Sequence, residues 1–170
     1  MKIKSTGLLV GRWQPLHNGH LEMINQSAAA VDLLYLGVGS INKRDEKNPF
    51  SAAERQLMIQ NSVTPEVQKK LKVFFVPDFA DDKKWMECVG YLVPKYDVAF
   101  SSDNKMSALY ASFGKNVQRI KLLRRDILSG TNMRALLLEG KDISQHVPKG
   151  TRDVIAMKNS SDLIGLLQKR

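Results

Sequence analysis

The sequence contains very little cysteine and no long hydrophobic run. Its single cysteine, Cys88, excludes an internal disulfide and is typical of a reducing compartment, so we expect a cytoplasmic protein. No stretch approaches the roughly 20 apolar residues that a membrane-spanning helix needs, and membrane insertion is not expected. The first apolar run ends at Arg12, which is too early for a secretory signal peptide.

Acidic residues are also scarce, since 17 Asp and Glu stand against 26 Lys and Arg and give a formal net charge of +9. Such an excess favours an anionic partner, either a nucleic acid or a phosphate-rich small molecule, or it reflects only a solvated basic surface. The sequence has no zinc-finger spacing and no RNP-type aromatic cluster. We therefore do not expect nucleic acid as the partner.

The chain shows no internal repeat, low-complexity tract or long linker. Its 170 residues, of which 43% are hydrophobic, suffice for one domain with a sizeable core. We therefore expect a single domain over residues 1–170.

Short apolar runs alternate with amphipathic stretches about five times along the chain. The predicted strands cover residues 6–11, 32–40, 71–77, 97–102 and 117–123. The predicted helices cover residues 20–31, 51–62, 81–93, 105–113 and 130–140, and a helical tail follows Pro148. Unbroken apolar strands are typical of strands covered on both faces. The pattern predicts an α/β fold with a doubly wound, mainly parallel, five-stranded sheet and a helical C-terminal tail.

Two segments, residues 11–20 and 125–134, each follow a predicted strand and lead into a helix. Ligands of open parallel sheets bind beyond the carboxyl ends of the strands, where the winding reverses. Both segments are therefore expected on the same rim of the sheet.

The first segment, "GRWQPLHNGH", combines features of a phosphate-binding loop. Gly11 and Gly19 allow close backbone approach, and the following helix N-terminus favours an anion. His17 and His20 are three residues apart and can face one pocket, where imidazoles donate hydrogen bonds to phosphate and add charge if protonated. Arg12 adds a permanent cation.

Other interpretations of the two histidines are a metal site or an ordinary helix cap. No third histidine or carboxylate stands at an obvious ligand spacing, so we predict no metal bound by protein side chains. The strand-to-helix context and the neighbouring glycines and arginine favour phosphate binding over a simple cap.

The second segment, "LSGTNMR", has the same physical features. Ser129 and Thr131 supply hydroxyl groups, Gly130 is flexible, and Arg134 lies in the first turn of the following helix. Serine and threonine also cap helices in general, so this segment alone is weak evidence. Two such sites on one rim suit a polyphosphate held from two sides.

These segments resemble the motifs of a known family. "GRWQPLHNGH" resembles the first signature of the nucleotidyltransferases, and "SGTNMR" resembles their second motif. The chain is most similar to archaeal-type nicotinamide-nucleotide adenylyltransferases, and the resemblance extends through "VGS", "NPFSAAER", "DFADDKKW" and "VP". It implies a Rossmann-like nucleotidyltransferase fold and a homo-oligomer. It also implies adenylyl transfer from ATP to nicotinamide mononucleotide (NMN), which gives NAD and pyrophosphate without a covalent intermediate.

The resemblance also implies roles for individual residues. His17, His20 and Arg134 would be catalytic. The ATP phosphates would be bound by Gly11, Arg12, Gln14, Gly19, Ser129, Gly130 and Thr131. The mononucleotide would be bound by Gly39, Ser40, Lys47 and Trp85. Mg²⁺ would bridge the ATP phosphates with few protein ligands.

The sequence departs from the family pattern near the acceptor side. Relatives often have "RDPF" where this chain has "KNPF", so Lys47 or the nearby Arg44 would replace the arginine, and "SSDNKM" differs from an "SGNP"-like pattern. Trp85 either packs in the core or stacks on the nicotinamide ring. Two alternative functions remain. One is another adenylyl- or cytidylyltransferase of the same superfamily, acting on FMN, phosphopantetheine or another acceptor, and the other is a non-catalytic nucleotide-binding module.

Overall fold

A computed structural model describes residues 5–122, 124–158 and 160–168. Within these ranges the chain forms a five-stranded parallel sheet in the order β3-β2-β1-β4-β5. The strands are β1 (Thr6–Gly11), β2 (Leu33–Val38), β3 (Leu71–Phe75), β4 (Val98–Ser101) and β5 (Val117–Arg119). The helices are α1 (Asn18–Ala30), α2 (Ala52–Gln60), α3 (Pro65–Lys70), α4 (Asp82–Leu92), α5 (Asn104–Ser112), α6 (Gly130–Leu138), α7 (Lys149–Met157) and α8 (Ser160–Leu167).

Helices cover both faces of the sheet. Side chains alternate along β1, so Leu9 and Leu8 point to opposite faces. Leu9 joins a buried cluster with side chains of α1, α2 and α7. Leu8 joins a second cluster with side chains of α4 and α5. The predicted doubly wound α/β fold is confirmed, and the winding reverses between β1 and β4, which places the expected ligand crevice at the carboxyl end of β1.

Some element boundaries differ from the prediction. Helix α1 begins at Asn18 rather than His20, because His17 caps it. The fifth strand ends at Arg119 rather than at residue 123, which lies outside the described residues. The short helix α3 was not predicted, although Thr64 caps it and Pro65 occupies its first turn.

The C-terminal helices support the loop after β1. The buried Thr151 hydroxyl of α7 donates to the Leu16 carbonyl at 2.8 Å. Lys158, at the end of α7, pairs with Glu54 of α2 at 2.7 Å. The predicted helical tail is confirmed, and α7 contacts the loop after β1 directly. None of the helices in the described ranges has the length and apolar character needed to cross a membrane.

Candidate active site

The loop after β1 is shaped by a buried tryptophan. Trp13 is 1% exposed, and its indole N–H donates to the Gly37 carbonyl of β2 at 2.9 Å. A Cβ on Gly11 would lie 2.5 Å from this indole ring. The packing of Trp13 therefore requires a glycine at position 11. The sequence had suggested a different reason for this glycine, the close approach of a ligand.

His17 and His20 form a stacked pair at the start of α1. Their ring centroids are 3.5 Å apart, and the rings are inclined by 16°. The His17 Nδ1 accepts the His20 backbone N–H at 3.2 Å, so His17 is the N-cap of α1. A neutral imidazole that accepts at Nδ1 carries its proton at Nε2. His17 therefore keeps an Nε2–H group as a donor.

Burial keeps both imidazoles neutral. It lowers the pKa of His17 to about 4. Burial, followed by the proximity of His17, also places the pKa of His20 well below its ordinary value. The histidines are thus neutral hydrogen-bond donors at neutral pH. The positive charge that the sequence interpretation assigned partly to them comes instead from the arginines.

The cap and the burial of His17 predict the behaviour of a variant. His17→Asn restores a cap acceptor and should match the wild-type stability at pH 7, whereas His17→Ala should lose about 1 kcal/mol. His17 binds a proton near pH 6.5 in the unfolded chain but only near pH 4 in the folded chain. The free energy of unfolding of the wild type therefore falls as the pH drops from 6.5 to 4. In His17→Asn the stability should depend less on pH, although His20, whose pKa is also lowered, should still contribute part of the pH dependence. Urea midpoints between pH 4 and pH 7.5 measure the slope. His146→Asn is the control, and an unchanged slope in His17→Asn would contradict the assignment.

The second segment is joined to the first by Arg134. Ser129 is the N-cap of α6 and accepts the Asn132 backbone N–H at 3.2 Å. One Arg134 Nη donates to the Gln14 carbonyl at 2.8 Å, and the other lies 3.4 Å from the Thr131 hydroxyl. A Cβ on Gly130 would approach the guanidinium to 3.1 Å, so glycine leaves room for this bridge.

The Gln14 side chain is bonded to the backbone of Phe50. Its amide N–H donates to the Phe50 carbonyl at 2.8 Å, and its amide oxygen accepts the Phe50 N–H at 2.9 Å. The residue is 2% exposed. Both ends of the side-chain amide are thus bonded to the Phe50 backbone, and a role of Gln14 in binding the ATP phosphates stays a prediction. Gln14 ties the loop after β1 to the start of α2, and its carbonyl orients Arg134.

Three adjoining cavities open around these residues. The phosphate cavity, about 220 Å³, is lined by Arg12, Trp13, Gln14, His20, Ser129, Gly130, Thr131 and Arg134. The apolar cavity, about 230 Å³, is lined by Val10, Gly11, Trp13, His17, His20, Met23, Ser102, Leu122, Arg125, Leu128, Ser129 and Gly130. The outer cavity, about 500 Å³, is lined by Arg12, Glu46, Lys47, Thr131, Arg134, Ala135, Leu138 and Leu167.

The cavities bring the two predicted motifs together. Arg12 and Arg134 line both the phosphate and outer cavities, while His20 lines both the phosphate and apolar cavities. Burial, and then the charge of Arg12, lower the pKa of Arg134, as expected for two cations that face one space. Such a space is suited to a polyphosphate next to a less polar group.

Of the two candidates for the missing family arginine, Lys47 lines the outer cavity with Arg12 and Arg134. Arg44 instead lies 3.7 Å from Glu54. The geometry therefore favours Lys47, and it places this residue beside Arg12 and Arg134 rather than in a separate cavity.

Three further predicted residues do not line the three cavities. Gly19 is buried in the first turn of α1. Gly39 donates its N–H to the Gly11 carbonyl at 2.8 Å, and Ser40 beside it is 2% exposed, so both lie at the carboxyl end of β2 next to β1. Their roles remain predictions.

Trp85 lies in the first turn of α4, away from these cavities. Its ring packs edge-on against Tyr110 with centroids 6.1 Å apart, and the side chain is half-buried in the cluster under α4 and α5. The indole is thus partly a packing residue.

Several lining residues were missed by the sequence interpretation. Arg125 and Leu128 line the apolar cavity, and Glu46 lines the outer one. Arg125 was recognisable only as one of two arginines before "SGT". Met23 and Leu122 carried no signal that distinguishes a ligand-facing side chain from a core side chain.

The donor set does not form a metal cage. In the described ranges, no three His, Cys, Asp or Glu side chains are grouped as metal ligands. A divalent ion would therefore fit here only if phosphate oxygens supplied most of its ligands. Glu46 is the carboxylate residue among those that line the outer cavity.

A parallel α/β sheet with two helix N-termini beside one cationic cavity at its switch point is typical of nucleotide-binding proteins. The cytidylyltransferase-like family profile matches residues 8–136, and the chain belongs to this family. It is 35% identical over 154 residues to a nicotinamide-nucleotide adenylyltransferase of Halorubrum lacusprofundi. The matched region covers 88% of this chain and 85% of that protein. A nicotinamide-nucleotide adenylyltransferase of Methanococcus aeolicus is 34% identical, with 87% and 86% covered. The predicted family, and the prediction that the chain is a nucleotidyltransferase enzyme, are confirmed.

The fold is also found in a solved structure. A bifunctional NMN adenylyltransferase/ADP ribose pyrophosphatase of Francisella tularensis superposes with a TM-score of 0.79 at 17% identity, covering 97% of this chain. The chain spans about half of that larger protein, 53%. Another structure of the Francisella enzyme contains AMP and a manganese ion.

Proposed function

We propose that this chain transfers the adenylyl group of ATP to nicotinamide mononucleotide, which gives NAD and pyrophosphate. The observation that carries the proposal is the joining of the two motifs, through Arg134 and the Gln14 carbonyl, around one cationic cavity. The relatives named nicotinamide-nucleotide adenylyltransferase support this choice of acceptor.

The cavities fit the parts of the reaction. The apolar cavity would take the adenosine, and the phosphate cavity would take the α-phosphate beside His20. Thr131 and Arg134 would bind the β- and γ-phosphates, which leave as pyrophosphate. The NMN phosphate would attack the α-phosphorus in line with the departing pyrophosphate. None of these residues acts as a nucleophile, so rate enhancement comes from positioning and from hydrogen bonds to developing charge.

A divalent ion, which we propose to be Mg²⁺, would bridge the ATP phosphates and neutralise part of their charge. Arg12, Lys47 and Arg134 would share that neutralisation from the protein side. We further propose that the protein is cytoplasmic, as its single cysteine suggests, and that it assembles as a homo-oligomer.

Pyrophosphate release tests the proposal. The protein is mixed with ATP, Mg²⁺ and, in turn, NMN, deamido-NMN, FMN and phosphopantetheine, and pyrophosphate is followed with time. Fast release with NMN is expected. Release with only another acceptor would assign a different transferase, and no release with any would leave a nucleotide-binding module.

Trp85 tests the acceptor independently. A half-exposed indole can stack on the cationic nicotinamide ring and add roughly 0.5–2 kcal/mol. Trp85→Leu keeps apolar packing against Tyr110 and should weaken NMN affinity about tenfold, since about 1.4 kcal/mol is tenfold. Trp85→Phe should weaken it less, and neither variant should change ATP affinity. Calorimetric titration measures both ligands. Wild-type NMN affinity in Trp85→Leu would mean that the indole only packs.

A further inference from the structure

Arg55 of α2 is a fully buried arginine that neither motif contains. It is 1% exposed. Its Nη1 donates to the Arg12 carbonyl at 2.8 Å and to the Gly39 carbonyl at 2.5 Å, and its Nε donates to the Ser51 carbonyl at 3.2 Å. Among the described residues no carboxylate lies within salt-bridge distance of it, and Asp78 and Glu54 act on its charge only from further away. Its hydrogen bonds are therefore made to three backbone carbonyls rather than to a side-chain partner.

Two of these carbonyls precede residues of unusual backbone conformation. Trp13, which follows Arg12, has a φ of 52°, and Ser40, which follows Gly39, has a φ of 55°. Residues other than glycine seldom adopt this left-handed region unless the surrounding structure holds them there. Arg55 donates to the carbonyl of the peptide unit that precedes Trp13 and to that of the peptide unit that precedes Ser40. One side chain therefore holds both residues in this conformation.

The fixed peptide units leave two N–H groups free. In a trans peptide the C=O and N–H bonds point in opposite directions. Because Arg55 takes the Arg12 and Gly39 carbonyls, the N–H groups of Trp13 and Ser40 point away from the guanidinium. Neither N–H donates a hydrogen bond to another group in the part of the chain that the structure describes.

Both N–H groups lie at the carboxyl ends of adjacent parallel strands. Trp13 follows β1 and lines the phosphate cavity, while Ser40 follows β2. Gly39 is itself bonded to the Gly11 carbonyl at 2.8 Å, which keeps the two turns together. Backbone N–H groups in such turns are good anion ligands.

We propose that Arg55 is a positioning residue that presents the Trp13 N–H to the ATP phosphates and the Ser40 N–H to the phosphate of the acceptor nucleotide. One buried guanidinium thereby sets the relative placement of the two reacting phosphates. This inference rests on the proposed function for the identity of the acceptor, but its ATP half stands on the geometry of the loop after β1.

Ligands with and without phosphate test the proposal. Arg55→Lys and Arg55→Met are titrated with ATP, adenosine, NMN and nicotinamide riboside. We expect the variants to lose affinity for ATP and for NMN by about tenfold each, which is the effect of about one hydrogen bond to a charged group. Affinity for the two nucleosides should be unchanged. Lysine keeps the charge, but its amine lies on a shorter side chain and it lacks the Nε–H that donates to the Ser51 carbonyl, so it should hold the two other carbonyls less well. Arg55→Lys should therefore be affected, but less than Arg55→Met.

Lys70 provides a matched control. Its Nζ also bridges two carbonyls, those of Ala28 at 2.8 Å and Val31 at 3.0 Å, but these lie at the C-terminal end of α1, before β2 begins. Lys70→Met should lower the melting temperature without changing any of the four affinities. The same titration of Lys70→Met therefore separates general destabilisation from phosphate positioning.

The contrary outcomes are distinct. Wild-type affinity for ATP and NMN in folded Arg55→Lys would overturn the proposal, as would an equal loss for nucleotides and nucleosides. If Arg55→Met does not fold, Arg55→Lys decides alone. Failure of the wild-type protein to release pyrophosphate from ATP and NMN would contradict the proposed function, whereas the comparison of ATP with adenosine would still decide the role of Arg55.

Discussion

Replacing His20 with alanine should lower the turnover number about 10²–10³-fold, which is typical for the loss of one donor to developing charge. ATP affinity should change little, because the contact strengthens in the transition state. His20 lines the junction of the phosphate and apolar cavities, where the α-phosphate would lie. Its low pKa makes it a neutral donor that leaves the net charge of the site to the arginines. Single-turnover rates and ATP titrations measure the two effects.

Two further variants sharpen this test. His20→Gln places an N–H donor near the position of the ring nitrogen and should recover part of the rate, whereas His146→Ala should have no effect on turnover. His20 also contacts the Trp13 ring edge-on, with centroids 5.0 Å apart, so a melting curve must show that His20→Ala remains folded. Near-wild-type turnover in a folded His20→Ala protein would remove His20 from the mechanism.

The sheet was predictable from sequence because its signals are local. Apolar runs bounded by glycine and proline marked the strands, and the Ser51–Glu54 capping box marked α2, where both reciprocal bonds are present. The helix α3 was missed because its polar sequence, "PEVQKK", has too few apolar residues to show a helical period. The end of the fifth strand was overestimated because "RIKLL" continues its apolar character beyond the last sheet bond.

The site was predictable only where its residues form a contiguous motif. His17 and His20 stand out because one helix start holds both. Arg55 gives no such signal, because in "AAERQ" it resembles a surface charge of an amphipathic helix. Its burial depends on carbonyls 43 and 16 residues away in sequence. The contact of the Gln14 side chain with Phe50 could not be predicted for the same reason, since Phe50 lies 36 residues further along the chain.

Arg134→Lys should lower kcat/KM about 10–100-fold although the positive charge is kept, because hydrogen bonds between charged groups are worth about 1.5–3 kcal/mol. The guanidinium uses one edge to bind the Gln14 carbonyl and still presents other N–H groups to the phosphate and outer cavities. A lysine amine has one nitrogen, so it cannot hold the Gln14 carbonyl and grip two phosphate oxygens in the same fork.

Arg152→Lys is the matched control for this prediction. Arg152 also donates to backbone carbonyls, those of Ser144 at 3.2 Å and Val147 at 3.3 Å, but it lines none of the three cavities of the candidate site. Its replacement should leave kcat/KM unchanged. Steady-state pyrophosphate release at varied ATP, with NMN saturating, measures both variants. If Arg134→Lys equalled the wild type in turnover and in ATP affinity, Arg134 would act only as a structural link between the two motifs, and the leaving pyrophosphate would have to be held by Arg12 and Lys47 instead.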